Sequence, residues 1–424
     1  GNLLTSTSQY EVVVDASWAG DDLAPDPLFL AAALGGEVTL EHDYDLTQPF
    51  RVTKDLKINL NGYYIKGGKD YVKDMGMSAA DISVMIIEEN ATLTIEGEGN
   101  IIGGEYAITV KDGTFNGNGG NYIGNTTGIY VVDGAANLTG GRYEVREPDS
   151  GRYFVVNCKD THWNDGLSKV NITGGTYLNF NPNEAWESLE TVNFLAEGYT
   201  VIPNTTDNGT EYTVVSGATV TTPDEFKEAA QNPSLEYIII AADLDFNGEQ
   251  ATVSTDKIIL GNGKNFKAGG GSLYAISIQG VEGVKVSLQN IVIENGGGIK
   301  MFNGADVTIT DVTIKPNYTK ESRHIFYVQN SNLTIKSGSF EINRTKSRYV
   351  AAEGNSKILI NGGIWADMVS KNYDPIYKTD GCDVSITGGS FQVDNETYKF
   401  DPTQYLADGY KTVYDKTANT YTVA

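Results

Sequence analysis

The sequence is poor in the residues that usually betray chemistry or covalent bracing. Its 424 residues include two cysteines, three histidines and five methionines. Two cysteines exclude a disulfide framework, and Cys158 and Cys382, one in each half, read as lone buried thiols rather than as a bridge. No phosphate loop, zinc-ligand spacing or Ser-His-Asp order stands out. There is no run of eighteen apolar residues, so no segment reads as a membrane-spanning helix. No leader peptide is visible, and GNLLTSTSQ reads as the start of a mature chain after processing. Positive charge is also scarce: 31 Lys and Arg face 55 Asp and Glu, a net charge of -24. That balance argues against nucleic acid and anionic membrane surfaces as partners. It also repels polyuronates unless bound cations or a local basic strip intervene.

What is abundant points to strands and turns. The 48 glycines and 25 tyrosines outweigh 11 prolines, a mixture suited to β structure rather than to helix bundles. One phrase recurs: VNITGGTYLNF at 170–180 and DVSITGGSFQV at 383–393, with looser copies LTGGRYEV, LTIKSGSFEI and ILINGGIWAD at 138, 333 and 358. Each couples an alternating strand to a small-residue turn and, in most copies, an aromatic. In the second half the last apolar residue before each turn is Leu288, Ile309, Ile335, Ile360 and Ile386, at steps of 21, 26, 25 and 26 residues. Such a period is the mark of a solenoid, in which no coil buries its own apolar face and stacking creates the core.

A larger duplication lies above the coil repeat. GEVTLEHDYDL with KDLKINLNGYYIKGG opens the first half; LEYIIIAADLDF with TDKIILGNGKNFKAGG opens the second. FLAEGY at 194 and YLADGY at 405 lie 211 residues apart, and EYTVV matches the final TYTVA. A short helical stretch begins each half, PDPLFLAAAL from Pro25 and PDEFKEAA from Pro223, the latter with Thr222 as its expected N-cap. These pieces would cover open strand edges. The expectation is an all-β, right-handed parallel β-helix in two tandem modules, 1–216 and 217–424, each with a short helical cap.

The segment GEVTLEHDYDLTQPFRVTKDLKINLNGYYIKGG and the ITGGTY and ITGGSF coils resemble right-handed parallel β-helix proteins of the pectate-lyase-like superfamily. More narrowly, they resemble repeat-bearing secreted or surface proteins of gut Bacteroides-type bacteria and some Gram-positive bacteria. The resemblance concerns coils, and function must be argued from sites. Polygalacturonase-like members carry NTD, a DD pair, GHG and RIK; none is present here. Pectate lyase-like members need carboxylates for Ca²⁺, an Arg or Lys base and a vWiDH-type segment, and that segment is missing too.

Four features remain as site candidates. Asp43 with Asp45, and Asp243 with Asp245, sit two apart on strands, so each pair shares a face where a cation could bridge them; the plainer reading is exposed residues at strand ends. The stretch Arg146–Gly166 reads as a long excursion between coils, carrying Glu147, Asp149, Arg152, Asp160, His162, Trp163 and Asp165. Trp163 is its candidate sugar-stacking platform, although such excursions are often only variable surface. Lys315, Lys320, Arg323, His324, Arg344, Lys346 and Arg348 form a basic strip suited to an anionic glycan or to offsetting nearby acids. Arg152 and Arg348 occupy matching places in the two halves, which favours pairing with surface carboxylates over a lyase base. The ten Asn-x-Ser/Thr triplets read as turn asparagines multiplied by the repeat rather than as glycan acceptors.

The sequence thus predicts a secreted or cell-surface protein, outer-membrane anchorage included, that binds or displays. Its expected work is adhesion or capture of a polysaccharide or host or cell-surface glycan through Tyr and Trp on a rigid face. The reading leans against catalysis, with no catalytic residue and no resident metal or cofactor assigned, Ca²⁺ being the one ion considered. The alternatives are a polysaccharide lyase or glycoside hydrolase with an atypical site, and a structural spacer or fibre. Arg152, Asp160, His162, Trp163, Asp165, Arg323, His324 and Arg348 are the expected ligand-binding residues.

Overall fold

The structure is a computed structural model that describes residues 26–67, 82–149, 151–269, 273–280, 283–294, 297–315, 324–342, 348–366, 374–393 and 400–424. It is a parallel β-helix with antiparallel closing strands, divided into two compact units, Gly1–Val215 and Ser216–Ala424. GNLLTSTSQ, Lys320, Arg323, Arg344, Lys346, Asn317, Asn343 and Asn395 lie outside the described residues.

In the first unit each of the first five coils lays one strand on each of three faces, and the sixth contributes to the first two. The first face runs Gly36–Thr39, Leu56–Asn59, Ala91–Glu96, Gly113–Gly117, Gly134–Leu138 and Ser168–Ile172, all parallel. The second face begins at Tyr44–Leu46 and ends at Thr176–Leu178. The third stacks Phe50–Val52, Ser83–Ile87, Tyr106–Val110, Thr127–Val131 and Phe154–Cys158. Ala91–Glu96 alternates strictly between buried and half-buried positions, as a strand with one face on a core must. Partnered residues on the first face are 20, 37, 22, 21 and 34 apart. Coil length therefore varies while strand register does not.

The second unit repeats this plan. The step residues deduced from the sequence lie directly over one another: Leu288 on Ile309, Ile309 on Ile335, Ile335 on Ile360 and Ile360 on Ile386. Their side chains are all fully buried in one continuous core.

The recurring phrase has two physical parts. The first glycine of each pair sits where an added Cβ would run into the carbonyl of the coil below, Thr139 for Gly174 and Asn361 for Gly388. The second takes a positive φ, 91° at Gly175, a conformation costly to any residue with a side chain. The aromatic two residues later turns inward and stacks on its counterpart in the next coil. Tyr122 and Tyr143 lie 4.8 Å apart at 8°, and Tyr143 and Tyr177 4.9 Å apart at 9°. Each hydroxyl donates to a glycine carbonyl three residues earlier, Tyr143 to Gly140 at 2.7 Å and Tyr177 to Gly174 at 3.0 Å. In the second unit Trp365 stands between Phe340 and Phe391, and its Nε1 donates to Gly362. These rings are core, not ligand platforms.

Both helical caps are present. Pro27–Leu34 is N-capped by Asp26, which accepts from the Leu28 amide at 2.9 Å and from the Tyr44 hydroxyl at 2.9 Å. Pro223–Gln231 has the full capping box, Thr222 and Glu225 each accepting from the other's amide. It buries Phe226 against Phe246 and Phe266. The duplicated closing phrases do equivalent work. Leu195 bridges to Ile172, and Leu406 to Ile386. Beyond each, a strand pairs antiparallel with the last second-face strand: Glu211–Thr213 on Thr176–Leu178, and Thr420–Val423 on Gly389–Gln392.

Replacing Gly174 by Ala should lower first-unit stability by about 1–3 kcal/mol through overpacking. Tyr143→Phe should cost about 1 kcal/mol for the lost buried hydrogen bond. Urea unfolding followed by circular dichroism checks both, and an unchanged midpoint for Gly174→Ala would contradict the stacking account.

Candidate functional site

A cleft of about 310 Å³ lies on the third face of the first unit. One wall is the strand surface, where Tyr106 and Phe154 emerge half-buried beside Thr127 and Asn157. Carboxylates rim it: Glu105 and Asp149 at the corners that lead into the strands of Tyr106 and Phe154, and Asp160 opening the short helix Asp160–Asn164. The Thr126 hydroxyl donates to Glu105 at 2.7 Å. Tyr106 stacks on Tyr130 of the next coil, centroids 4.8 Å apart.

The other wall is a hairpin, Ala185–Glu187 paired with Glu190–Val192. Its two turn residues, Ser188 and Leu189, both have positive φ, the geometry of a tight hairpin turn. Trp186, Ser188 and Leu189 face the cleft, and Leu189 is 82% exposed. Three contacts hold the hairpin down. Arg152 places its guanidinium 3.6 Å over the Trp186 ring. Ser188 Oγ donates to the Asp160 carbonyl at 3.2 Å. Glu187, 1% exposed, accepts the Cys158 amide at 2.8 Å, while its other carboxyl oxygen is buried with no hydrogen bond among the described residues.

Burial pushes the Glu187 carboxyl up to about 8; the Cys158 amide opposes the rise and the Asp160 charge adds to it. Cys158 is a free, buried thiol, itself raised by burial and then by the Glu187 and Asp160 charges. Glu88 behaves oppositely. Burial raises it, but hydrogen bonds from Lys111 at 2.8 Å and Arg51 at 3.0 Å prevail and lower it overall.

The segment Arg146–Gly166 is therefore less an excursion than expected. Its middle is the last third-face strand, Phe154–Cys158, followed by the helix. Of the expected binders there, Asp160 lines the cleft and Arg152 stacks on its tryptophan. Trp163 does not offer a platform: it packs edge-on against Phe194 at 5.4 Å and belongs to the core boundary. His162 meets Lys159 through Nε2 at 3.2 Å, and Asp165 caps the helix C-terminus; neither lines the cleft. The sequence reading missed Glu105, Tyr106, Phe154 and Trp186. An outward tyrosine in consecutive third-face strands, Tyr106 then Tyr130, was the available signal, while Trp186 lay hidden in a closing segment read as a cap.

In the second unit Arg348 sits 4.4 Å over the Tyr377 ring, and His324 lies parallel to Tyr327 at 6.2 Å. The matching arginines thus share a ring-stacking role. Both acidic pairs join coils. Asp43 accepts the Tyr64 amide at 3.0 Å, and Asp243 the Asn265 amide at 2.8 Å. Asp45 lies 3.8 Å from Lys66, and Asp245 2.6 Å from Lys267. Among the described residues no group of three or more His, Cys, Asp or Glu is placed to hold a metal ion. No described helix is long and apolar enough to cross a membrane.

A folded value above the ordinary carboxylate value means that Glu187 favours the folded state fully below that ordinary value. The contribution is lost as pH rises through about 8. Glu88, being lowered, loses its contribution only on the acid side and does not overlap this window. The urea midpoint should therefore fall between about pH 5 and about pH 8.5, and Glu187→Gln should flatten that fall. Parallel curves for the two proteins would contradict the assignment.

Residues 217–339, within the second unit, match the model of a family described provisionally as a pectate lyase-like adhesive domain. No curated protein and no solved structure gives a match, and the narrower resemblance to gut Bacteroides-type proteins finds no counterpart in these comparisons. The matched stretch is well under half of the chain, and what it supports is similarity to a β-helical adhesive domain.

Proposed function

We propose that this chain is a non-catalytic adhesive protein of the cell surface or extracellular space that captures a glycan in the third-face cleft of its first unit. The observation that carries the reading is the cleft's lining. Tyr106, Phe154 and Trp186 offer half-buried ring faces in one depression, and Thr126, Asn157 and Ser188 supply short hydrogen-bonding groups between them. Ring faces stack on the apolar faces of sugars, and fixed polar groups set orientation. The adhesive family matched over 217–339 supports a binding role, and with it a location outside the cell. Catalysis is less well supported. A lyase needs an Arg or Lys base at the cleft, and Arg152 on its wall is held over the Trp186 ring instead of among the lining residues.

The test is retention on a panel of immobilised neutral, amino and acidic polysaccharides, with release of reducing or unsaturated ends followed in parallel. Retention without new chain ends is expected. Trp186→Ala should weaken it by about tenfold, in keeping with an aromatic contact worth roughly 1 kcal/mol or more. New chain ends would overturn the non-catalytic reading. Absence of retention on every glycan would overturn glycan capture and leave display or spacing as the role.

A further inference from the structure

We infer that the sugar taken by this cleft carries a protonated amine, so that its ligand class is a deacetylated amino sugar rather than a neutral or uronic one. The inference rests on the glycan reading above and narrows it. Three carboxylates, Glu105, Asp149 and Asp160, share the lining with ring faces and outnumber Arg152, the cation that sits over Trp186 on the wall. The Asp160 carboxylate is exposed and opens the helix Asp160–Asn164 beside the hairpin.

The stacked tyrosines report the same field. Tyr106 has its hydroxyl pKa raised by burial first and then by Glu105 and Asp149. Tyr130 is pushed up to about 12 by burial, then by Tyr106 and Asp160. Burial leads both shifts and opposes a charge of either sign, while the carboxylate contributions that follow it have the sign that favours a cation.

The donor and acceptor balance agrees. An ammonium carries three donors and no acceptor, and an ionised carboxylate only accepts. A uronate would instead bring a fourth carboxylate among three. Ring faces attract cations, as the Arg152 guanidinium 3.6 Å over Trp186 illustrates, and Tyr106 and Phe154 are the lining rings left for a ligand ammonium. The chain's net charge of -24 adds long-range steering for a cationic ligand.

An acidic protein attracts any polycation, so the experiment must separate the cleft from the general charge. Titration calorimetry of the whole chain at about pH 6 would compare a short β-1,4-linked glucosamine oligomer, its N-acetylated form and the matching glucose oligomer. The glucosamine oligomer should bind at least about tenfold more tightly than the other two. Asp160→Asn should weaken it by about fivefold or more. Asp383→Asn, at an exposed strand position in the second unit, should leave it unchanged. Affinity should fall as the pH rises through the range in which the sugar amine loses its proton.

Equal binding of the acetylated or glucose oligomer would overturn the amine preference while leaving glycan capture standing. Binding that Asp160→Asn and Asp383→Asn affect alike would show bulk charge attraction and overturn the assignment to this cleft. Binding of none of the three would overturn the inference, and retention on the broader panel would then show whether glycan capture survives it.

Discussion

The parallel backbone ladder between successive coils is the constraint on which the rest of the molecule depends. Neighbouring strands lie about 4.8 Å apart, so whatever one coil places at a position must fit directly over its counterpart. Tyr122, Tyr143 and Tyr177 satisfy this by stacking nearly flat at 4.8 and 4.9 Å, close to the strand spacing itself. The same demand shapes polar groups. Asn137 donates to Asn116, and Asn116 to Thr94, three coils joined by side-chain amides. The glycine pairs obey it from the other side, since at Gly174 and Gly388 the coil below approaches too closely for a Cβ.

A ladder of this kind also determines where function is able to sit. Inward positions are committed to the core and many outward ones to cross-coil bonds, as with Asp43, Asp245 and Glu88. What remains is the set of corners and whatever is laid over a face. The cleft of the first unit combines both: third-face strands supply Tyr106 and Phe154, and the hairpin beyond the last coil supplies Trp186. Its chemistry follows from that assembly. The rings are half-buried because the hairpin covers them. The Glu187 carboxyl holds its proton because the same covering removes it from water.

Much of the fold was legible in the sequence because the ladder imposes a period that survives variation in coil length. The steps ending at Ile386 and the duplicated caps at Leu195 and Leu406 came from spacing and wording alone. The site was less legible. Asp160 and Arg152 were named as binders, and both belong to the cleft or its wall. Trp163 and Trp186 could not be told apart by composition. Each is a tryptophan among acids, and only the Phe194 contact sends one towards the core and the Arg152 contact leaves the other at a cleft. Pairings across strands of the third face depend on which residues a corner omits or adds, and local patterning does not record that.

The uneven steps along the first face, 20, 37, 22, 21 and 34 residues between partners that still lie in register, divide the chain into two kinds of heritable text. Strand positions are written in strict metre, where one added residue would turn every following side chain to the opposite face. Corners are free verse and can lengthen without disturbing the lines above and below. Because Asp149 and Asp160 lie in such a stretch, between Gly134–Leu138 and Ser168–Ile172, what the cleft recognises can diverge between descendants of this gene while the coil that carries it stays the same.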